Sequence, residues 1–379
     1  MIEKERLKKL FLSLVRLSSE SLSERLIAHH LKAQLESLGA AVVEDRAASA
    51  VGGNCGNLIA RFGTRGPFLM LNSHMDTVRP GRNVQPVVKG DIIRSDGRTV
   101  LGADCKSGIA AIMEALESVR EDRGVIEGIE VVFTVAEEVG LLGAKQLKRN
   151  AIKSKIGITL DSGDPYNVII AAPAANRIMM DIHGFESHAG VAPEKGISAI
   201  LIAAQALRAM KLGRIDHETT ANIGIIEGGN ATNIVPALVQ LKGEARSHNT
   251  SKLERQTKQM IRAAETAAKK AAKNIDGKTM RPTVKIAVKP DYPAMKIKPN
   301  SPVMKVVKAA GVRAGLKLST KAGNGGSDAN IFNSIGIQTV ILGTGMTDVH
   351  STRENINVRD MVKAARLVRA AVDTFLEER

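Results

Sequence analysis

Apolar runs of strand length recur along this chain and stop on residues able to ligate a metal. Phe-Leu-Met-Leu-Asn-Ser leads into His74, Val-Val-Phe-Thr-Val-Ala into Glu137 and Glu138, Ile-Gly-Ile-Thr-Leu into Asp161, Leu-Gly-Ala into Asp104, and His350 follows Thr-Val-Ile-Leu-Gly-Thr-Gly. Near-continuous apolar strands that alternate with helices suit burial on both faces, which predicts an α/β fold with a mostly parallel sheet. In such sheets, ligand sites gather at the carboxyl ends of strands. Carboxylates directly after apolar runs are costly unless something cationic faces them. Two histidines and three carboxylates suffice for two divalent cations if one carboxylate is shared. Glu137 is then free to act as a base, and Asp76 can accept the ring N–H of His74 and fix which nitrogen faces the metal. A lone His-x-Asp or Glu-Glu is an ordinary surface feature. The set together predicts a metal-dependent hydrolase.

Periodicity places a helix over residues 4–39, broken near Ser18-Ser19 and capped again by Ser21 or Ser23. Strands are expected at 57–62, 68–73, 129–136 and 156–160, with helices at 107–120 and 144–148. After Pro173 the pattern changes. A half-buried strand at 177–183, a helix at 197–210, strands at 221–226 and 237–245, a helix opened by the capping-box spacing Ser251…Glu254, and a strand at 283–288 follow the ferredoxin-like order. From Pro302 the first pattern resumes, with a helix at 303–314, a strand at 339–342 and a helix at 359–377. The expected organisation is a discontinuous catalytic domain, 1–175 and 293–379, interrupted by a second domain, 176–292.

A chain of 379 residues is too long for one ordinary core, consistent with two domains. The net charge of +15 would suit nucleic acid, but the lysines are dispersed over several helices. Aromatics make up only 2% of residues and Trp is missing, so no stacking platform for single strands is expected. The basic surface is read instead as solvated helix faces able to steer anionic substrates. No apolar run has the length of a membrane span, the N-terminal residues lack the apolar stretch of a signal peptide, and Cys55 and Cys105 make no disulfide framework. A cytoplasmic protein without a nucleic-acid or membrane partner is expected. Cys105, beside Asp104, is read as a packed residue and not as a ligand.

Ser-His-Met-Asp-Thr-Val, Gly-Ala-Asp-Cys-Lys-Ser-Gly, Ala-Glu-Glu-Val-Gly, Leu-Asp-Ser-Gly, Gly-Gly-Ser-Asp-Ala-Asn and His-Ser-Thr-Arg-Glu occur in this order along the whole chain. The succession resembles the co-catalytic zinc metallopeptidase family of peptidase T, carboxypeptidase G, succinyl-diaminopimelate desuccinylase and acetylornithine deacetylase. Within it, Leu-Asp-Ser-Gly and Asp328-Ala-Asn-Ile-Phe look most like peptidase T-like proteins. The resemblance implies a zinc-peptidase catalytic domain with an inserted lid that usually also forms a dimer interface. It implies two divalent cations per subunit, zinc foremost with manganese or cobalt able to fill the same shell. One cation would be held by His74, Asp104 and Asp161, the other by Asp104, Glu138 and His350, with Glu137 taking a proton from the bridging water and delivering it to the leaving amine.

Substrate contacts implied by the resemblance are Arg246 for a carboxylate, Asn233 for a polar contact, and His188 offered to the partner subunit's site. The Gly325-Gly326 turn would let backbone amides approach the substrate. The leading expectation is an aminotripeptidase. An N-acyl amino acid deacylase, a desuccinylase or a carboxypeptidase of the same family remain alternatives, as does a non-catalytic member. The complete ligand set with Glu137 in place favours an enzyme.

Overall fold

A computed structural model describes residues Met1–Glu378. The chain divides into two compact units. The first comprises Met1–Ala171, Met295–Gly323 and the residues from Ser327 onwards, and the second comprises Ala172–Ala294 with Asn324–Gly326.

Among the described residues, the first unit contains a nine-stranded sheet. Its centre runs Ile129–Thr134, Leu69–His74, Ile156–Ser162, Gln338–Gly343, and these four are mutually parallel. The flanks are antiparallel: Ala41–Glu44 and Leu58–Phe62 on one side, Asn167–Ala172 on the other. Ile129–Thr134 and Leu69–His74 are buried along their whole length, as strands covered on both faces must be. Because the central four point the same way, the ends bearing His74, Glu137, Glu138 and Asp161 share one edge.

Helix Ala103–Arg123 lies against this centre and is buried over most of its length. A Cβ at Gly108 would stand 2.5 Å from Ser73 Oγ and 2.6 Å from the Leu160 carbonyl. Only glycine lets the helix, and with it Asp104, approach the strands carrying His74 and Asp161 so closely. Helix Lys4–Arg16 buries Leu7, Phe11, Leu14 and Val15, one stripe at helical spacing. The expected break after it is real, and helix Arg25–Ser37 follows. Neither Ser21 nor Ser23 caps that helix, because its N-cap is Glu24, which makes no side-chain capping bond.

Sequence periodicity gave no sign of a small four-stranded sheet, Met346–Thr347, Asn355–Asn357, Ile92–Ser95 and Pro86–Lys89. Strands this short carry too few residues for an alternation to register. The first two flank the loop that bears His350, so the sheet anchors that loop at both ends.

The second unit has, among the described residues, a five-stranded antiparallel sheet ordered Gly213–Asp216, Thr219–Gly228, Leu238–Ser247, Ala174–His183, Thr283–Tyr292. Helices Ala199–Ala209 and Thr250–Lys270 cover one face, burying Ile178, Met180 and Ile182 with Ala203, Met260 and Ala264. Setting aside the added edge strand, this is the ferredoxin-like arrangement. The long helix is capped by Asn249, whose side chain accepts the Lys252 N–H at 3.1 Å, in place of the Ser251…Glu254 box. No helix among the described residues is long and apolar enough to cross a membrane.

Candidate metal centre

Five side chains separated by up to 276 residues in sequence (His74 to His350) converge at the carboxyl edge of the parallel strands. His74, at the last position of its strand, is buried. Its Nδ1 lies 2.9 Å from the main-chain carbonyl oxygen of Asp76 and 3.4 Å from Asp76 Oδ1. The backbone carbonyl therefore shares with the carboxylate the task of orienting the ring, and Nε2 is left to face the site. Nε2 stands 3.1 Å from Asp104 Oδ1 and 3.7 Å from Asp161 Oδ1. On the other side, His350 Nε2 stands 3.3 Å from Asp104 Oδ2 and 2.9 Å from Glu138 Oε2.

Each oxygen of Asp104 thus faces a different histidine. The ligand-type atoms fall into two groups, each within 4.8 Å, and Asp104 belongs to both. A carboxylate divided in this way, between two sets of nitrogen and oxygen donors, fits a pair of divalent cations. Cys105 falls in the first group by distance, but its thiol donates to the Leu160 carbonyl. Burial, with the charges of Asp161 and Asp104, pushes that thiol's pKa well up, so it remains a protonated packing residue.

The electrostatics are those of a carboxylate nest. Burial, joined by neighbouring carboxylates, raises Glu137 well above the ordinary range and Glu138 to about 7, and raises Asp161 as well. Hydrogen bonds to Asp104 and Glu138 lift His350 to about 10. Burial opposes the charge on His74, but Asp104, Asp161 and Asp76 outweigh it and raise that ring too. Burial likewise opposes ionisation of Asp104, yet the two histidines hold it below the usual carboxylate range. The raised carboxylates mark a site whose negative charge a cation would balance.

The residues around these side chains show how they are held. Asp76 accepts the Ser21 hydroxyl at 2.7 Å and the Glu137 and Glu138 amides at 2.9 and 3.2 Å. Glu354, the last residue of His-Ser-Thr-Arg-Glu, is buried and accepts the Gly102 and Asp104 amides at 2.7 and 2.9 Å. Lys106 is buried beneath the same turn, donating to the Leu17 carbonyl at 2.8 Å. Asp328 is buried and accepts the Thr134 hydroxyl, and burial raises its pKa to about 7. Sequence reasoning assigned no role to these last three. His350 itself has φ 60° and Asp348 φ 51°, uncommon for residues with side chains and frequent at functional sites.

His188, Asn233 and Arg246 belong to the second unit. His188 and Asn233 are neighbours: the Ala189 amide donates to the Asn233 carbonyl at 2.9 Å, and both residues are exposed. His188 Nδ1 accepts the Gly190 and Val191 amides, each at 3.2 Å. With Nδ1 accepting two amides, Nε2 is the ring nitrogen left to donate. Arg246 lies near the end of strand Leu238–Ser247, half-buried and paired with Glu244 at 2.8 Å.

Residues 70–374 match the profile of Peptidase family M20/M25/M40. The uncharacterized protein YqjE of Bacillus subtilis (strain 168) is 41% identical over 376 residues, covering 98% of this chain and 99% of that one. The crystal structure of aminopeptidase PepT from Bacillus cereus superposes with a TM-score of 0.85 at 41% identity, covering 99% of both chains. A tripeptidase from Staphylococcus aureus superposes at 0.89 with 38% identity, again over 99% of both.

Proposed function

The chain belongs to peptidase family M20/M25/M40, and from that premise we propose that it is a dinuclear metal-dependent aminotripeptidase of the peptidase T kind. The observation that carries the reading is Asp104, with one oxygen toward His74 and the other toward His350, and with Glu137 adjoining the ligand Glu138. Similarity to an aminopeptidase and a tripeptidase over nearly the whole length supports the substrate class.

His74, Asp104 and Asp161 would hold one cation, and Asp104, Glu138 and His350 the other. Imidazole and carboxylate donors suit zinc first, then manganese or cobalt. When bound, such a pair supplies an acidified water and polarises the amide carbonyl. Glu137 would hold the proton given up by the attacking water on its carboxylate and deliver it to the leaving amine. Burial, with the charges of Asp161, Asp328 and Glu138 nearby, raises its proton affinity above that of an ordinary carboxylate, the direction a proton carrier needs. Asp76 fixes the His74 ring and, through two amides, the turn that carries Glu137.

Arg246 is assigned to the substrate carboxylate and Asn233 to a further polar contact. His188 is assigned to the oxyanion in the partner subunit's site, since its exposed ring, with Nδ1 accepting two amides, keeps Nε2–H as a donor. Exposed Val191, Leu201, Ile225 and Ile226 on the second unit support a homodimer formed through it. Two buried, unpaired cysteines are in keeping with a cytoplasmic setting.

A hydrolysis screen of the metal-loaded protein tests the substrate class. Tripeptides with free termini should be cleaved with kcat/KM at least about tenfold above N-acetyl and N-succinyl amino acids, roughly the worth of one charged contact. Faster cleavage of the acyl amino acids would replace this reading with a deacylase. Arg246→Lys should raise KM about tenfold on a free-carboxylate tripeptide and leave the C-amidated peptide unchanged. Equal effects on both would remove Arg246 from carboxylate binding.

Subunit mixing tests the assignment of His188. His188→Ala and Glu137→Ala should each be nearly inactive alone, while their heterodimers recover up to half the wild-type sites. No recovery after verified subunit exchange would refute the trans role.

A further inference from the structure

Glu24 stands at the boundary of helix Arg25–Ser37, where a carboxylate ordinarily caps the free amides of the first turn. It makes no such bond. Its side chain turns inward and is 0% exposed, and Oε1 accepts the amides of Leu22 and Ala136, both at 2.9 Å. Ala136 directly precedes Glu137 and has φ 51°, a left-handed conformation that a residue with a side chain adopts only when its surroundings impose it.

Four consecutive amides after strand Ile129–Thr134 are held by side chains. Val135 donates to Asn57 Oδ1 at 3.1 Å, Ala136 to Glu24, and Glu137 and Glu138 to the two oxygens of Asp76. Asn57 is fixed in turn by Asp45 and the Gly143 carbonyl. The amide side of the turn that aims Glu137 thus depends on three buried polar groups. A buried carboxylate is costly, and the second oxygen of Glu24 has no hydrogen-bond partner among the described residues. Neither helix capping nor packing accounts for a carboxylate there.

We propose that Glu24 is a positioning residue for the hydrolytic reaction. By holding the Ala136 amide while Asp76 holds the next two, it fixes the direction in which the chain leaves the strand, and so where Glu137 presents its carboxylate. The Leu22 amide, on the same oxygen, ties the turn before helix Arg25–Ser37 to this support. The inference rests on reading Glu137 as the base.

Glu24→Met keeps the volume and removes the acceptor. Its kcat on a tripeptide should fall about 100-fold, the usual effect of displacing a reacting group by about 1 Å, with KM within about twofold and two cations still bound. Glu24→Gln keeps an acceptor oxygen and should stay within about fivefold of wild type. Hydrogen–deuterium exchange on the metal-free Met variant should show faster exchange at 135–138 while strand Leu69–His74 keeps its protection. In the wild type, segments 21–24 and 135–138 should become exchange-competent together as denaturant is added, a measurement that stands even if the Met variant does not fold. Full turnover in the Met variant, unchanged protection at 135–138, or separate opening of the two segments would overturn the inference. An active Glu137→Ala protein would instead overturn the assignment of the base. Inactive Glu137→Ala beside fully active Glu24→Met would overturn the role of Glu24 alone.

Discussion

Glu137→Ala is expected to keep two cations per chain and lose about 10³-fold in kcat, a rise of about 4 kcal/mol in the barrier. The residue adjoins the proposed ligand Glu138 but belongs to neither group of ligand-type atoms within 4.8 Å of one another. Its removal therefore deletes a proton carrier and leaves the donors intact. Glu138→Ala, one position on, should do the opposite and lower metal content, since Glu138 shares its group with Asp104 and His350. Elemental analysis beside single-turnover kinetics separates the two outcomes. A metal-free Glu137→Ala protein would make Glu137 a ligand and leave the chain without an identified base.

Asp104→Ala should have the largest effect on metal binding of any single substitution. Asp161→Ala thins one group of donors and Glu138→Ala the other, but Asp104 belongs to both. Elemental analysis after dialysis should find fewer than one cation per chain, and turnover should fall below detection. A second readout is thermal. Binding to the folded state alone stabilises by RT ln(1 + [L]/Kd), so a chelator should lower the wild-type Tm while leaving that of Asp104→Ala unchanged. Two cations retained in Asp104→Ala would show that the split of its oxygens between His74 and His350 is not a bridge.

The side chains that converge at the candidate centre were legible in the sequence for a definite reason. A strand buried on both faces leaves no place for His74 or Asp161 except its end, so apolar runs and polar stops together mark the edge of the sheet. The groups that hold the ligands carry no such mark. Glu24 reads as an ordinary acid at a helix start, and Glu354, though it closes the motif His-Ser-Thr-Arg-Glu, shows no partner in the sequence. Their roles come from contacts made across 112 and 250 residues, to Ala136 and Asp104. Asp328 stands in a motif, but its burial beside Thr134 comes from helix Asp328–Ser334, which packs against the sheet. Element ends were least legible where small residues dilute the alternation. Strand Ala174–His183 begins on Ala-Ala-Asn, three residues before its pattern becomes visible. The cap at Asn249 was hidden by a better-known spacing two residues later.

Strand Gln338–Gly343 lies between Ile156–Ser162 and Asn167–Ala172, although the second unit is encoded between them and it. During synthesis the sheet therefore stays unfinished, with an open seam at its middle, until the chain from Gln338 onwards has left the ribosome. His350 emerges later still, and with it the donor that completes the second group. Until then the chain carries His74, Asp104 and Asp161 but neither His350 nor Glu354, which accepts the Gly102 and Asp104 amides. If those side chains are the metal donors, the order in which the protein is written keeps a peptidase inert for as long as it is still a growing peptide.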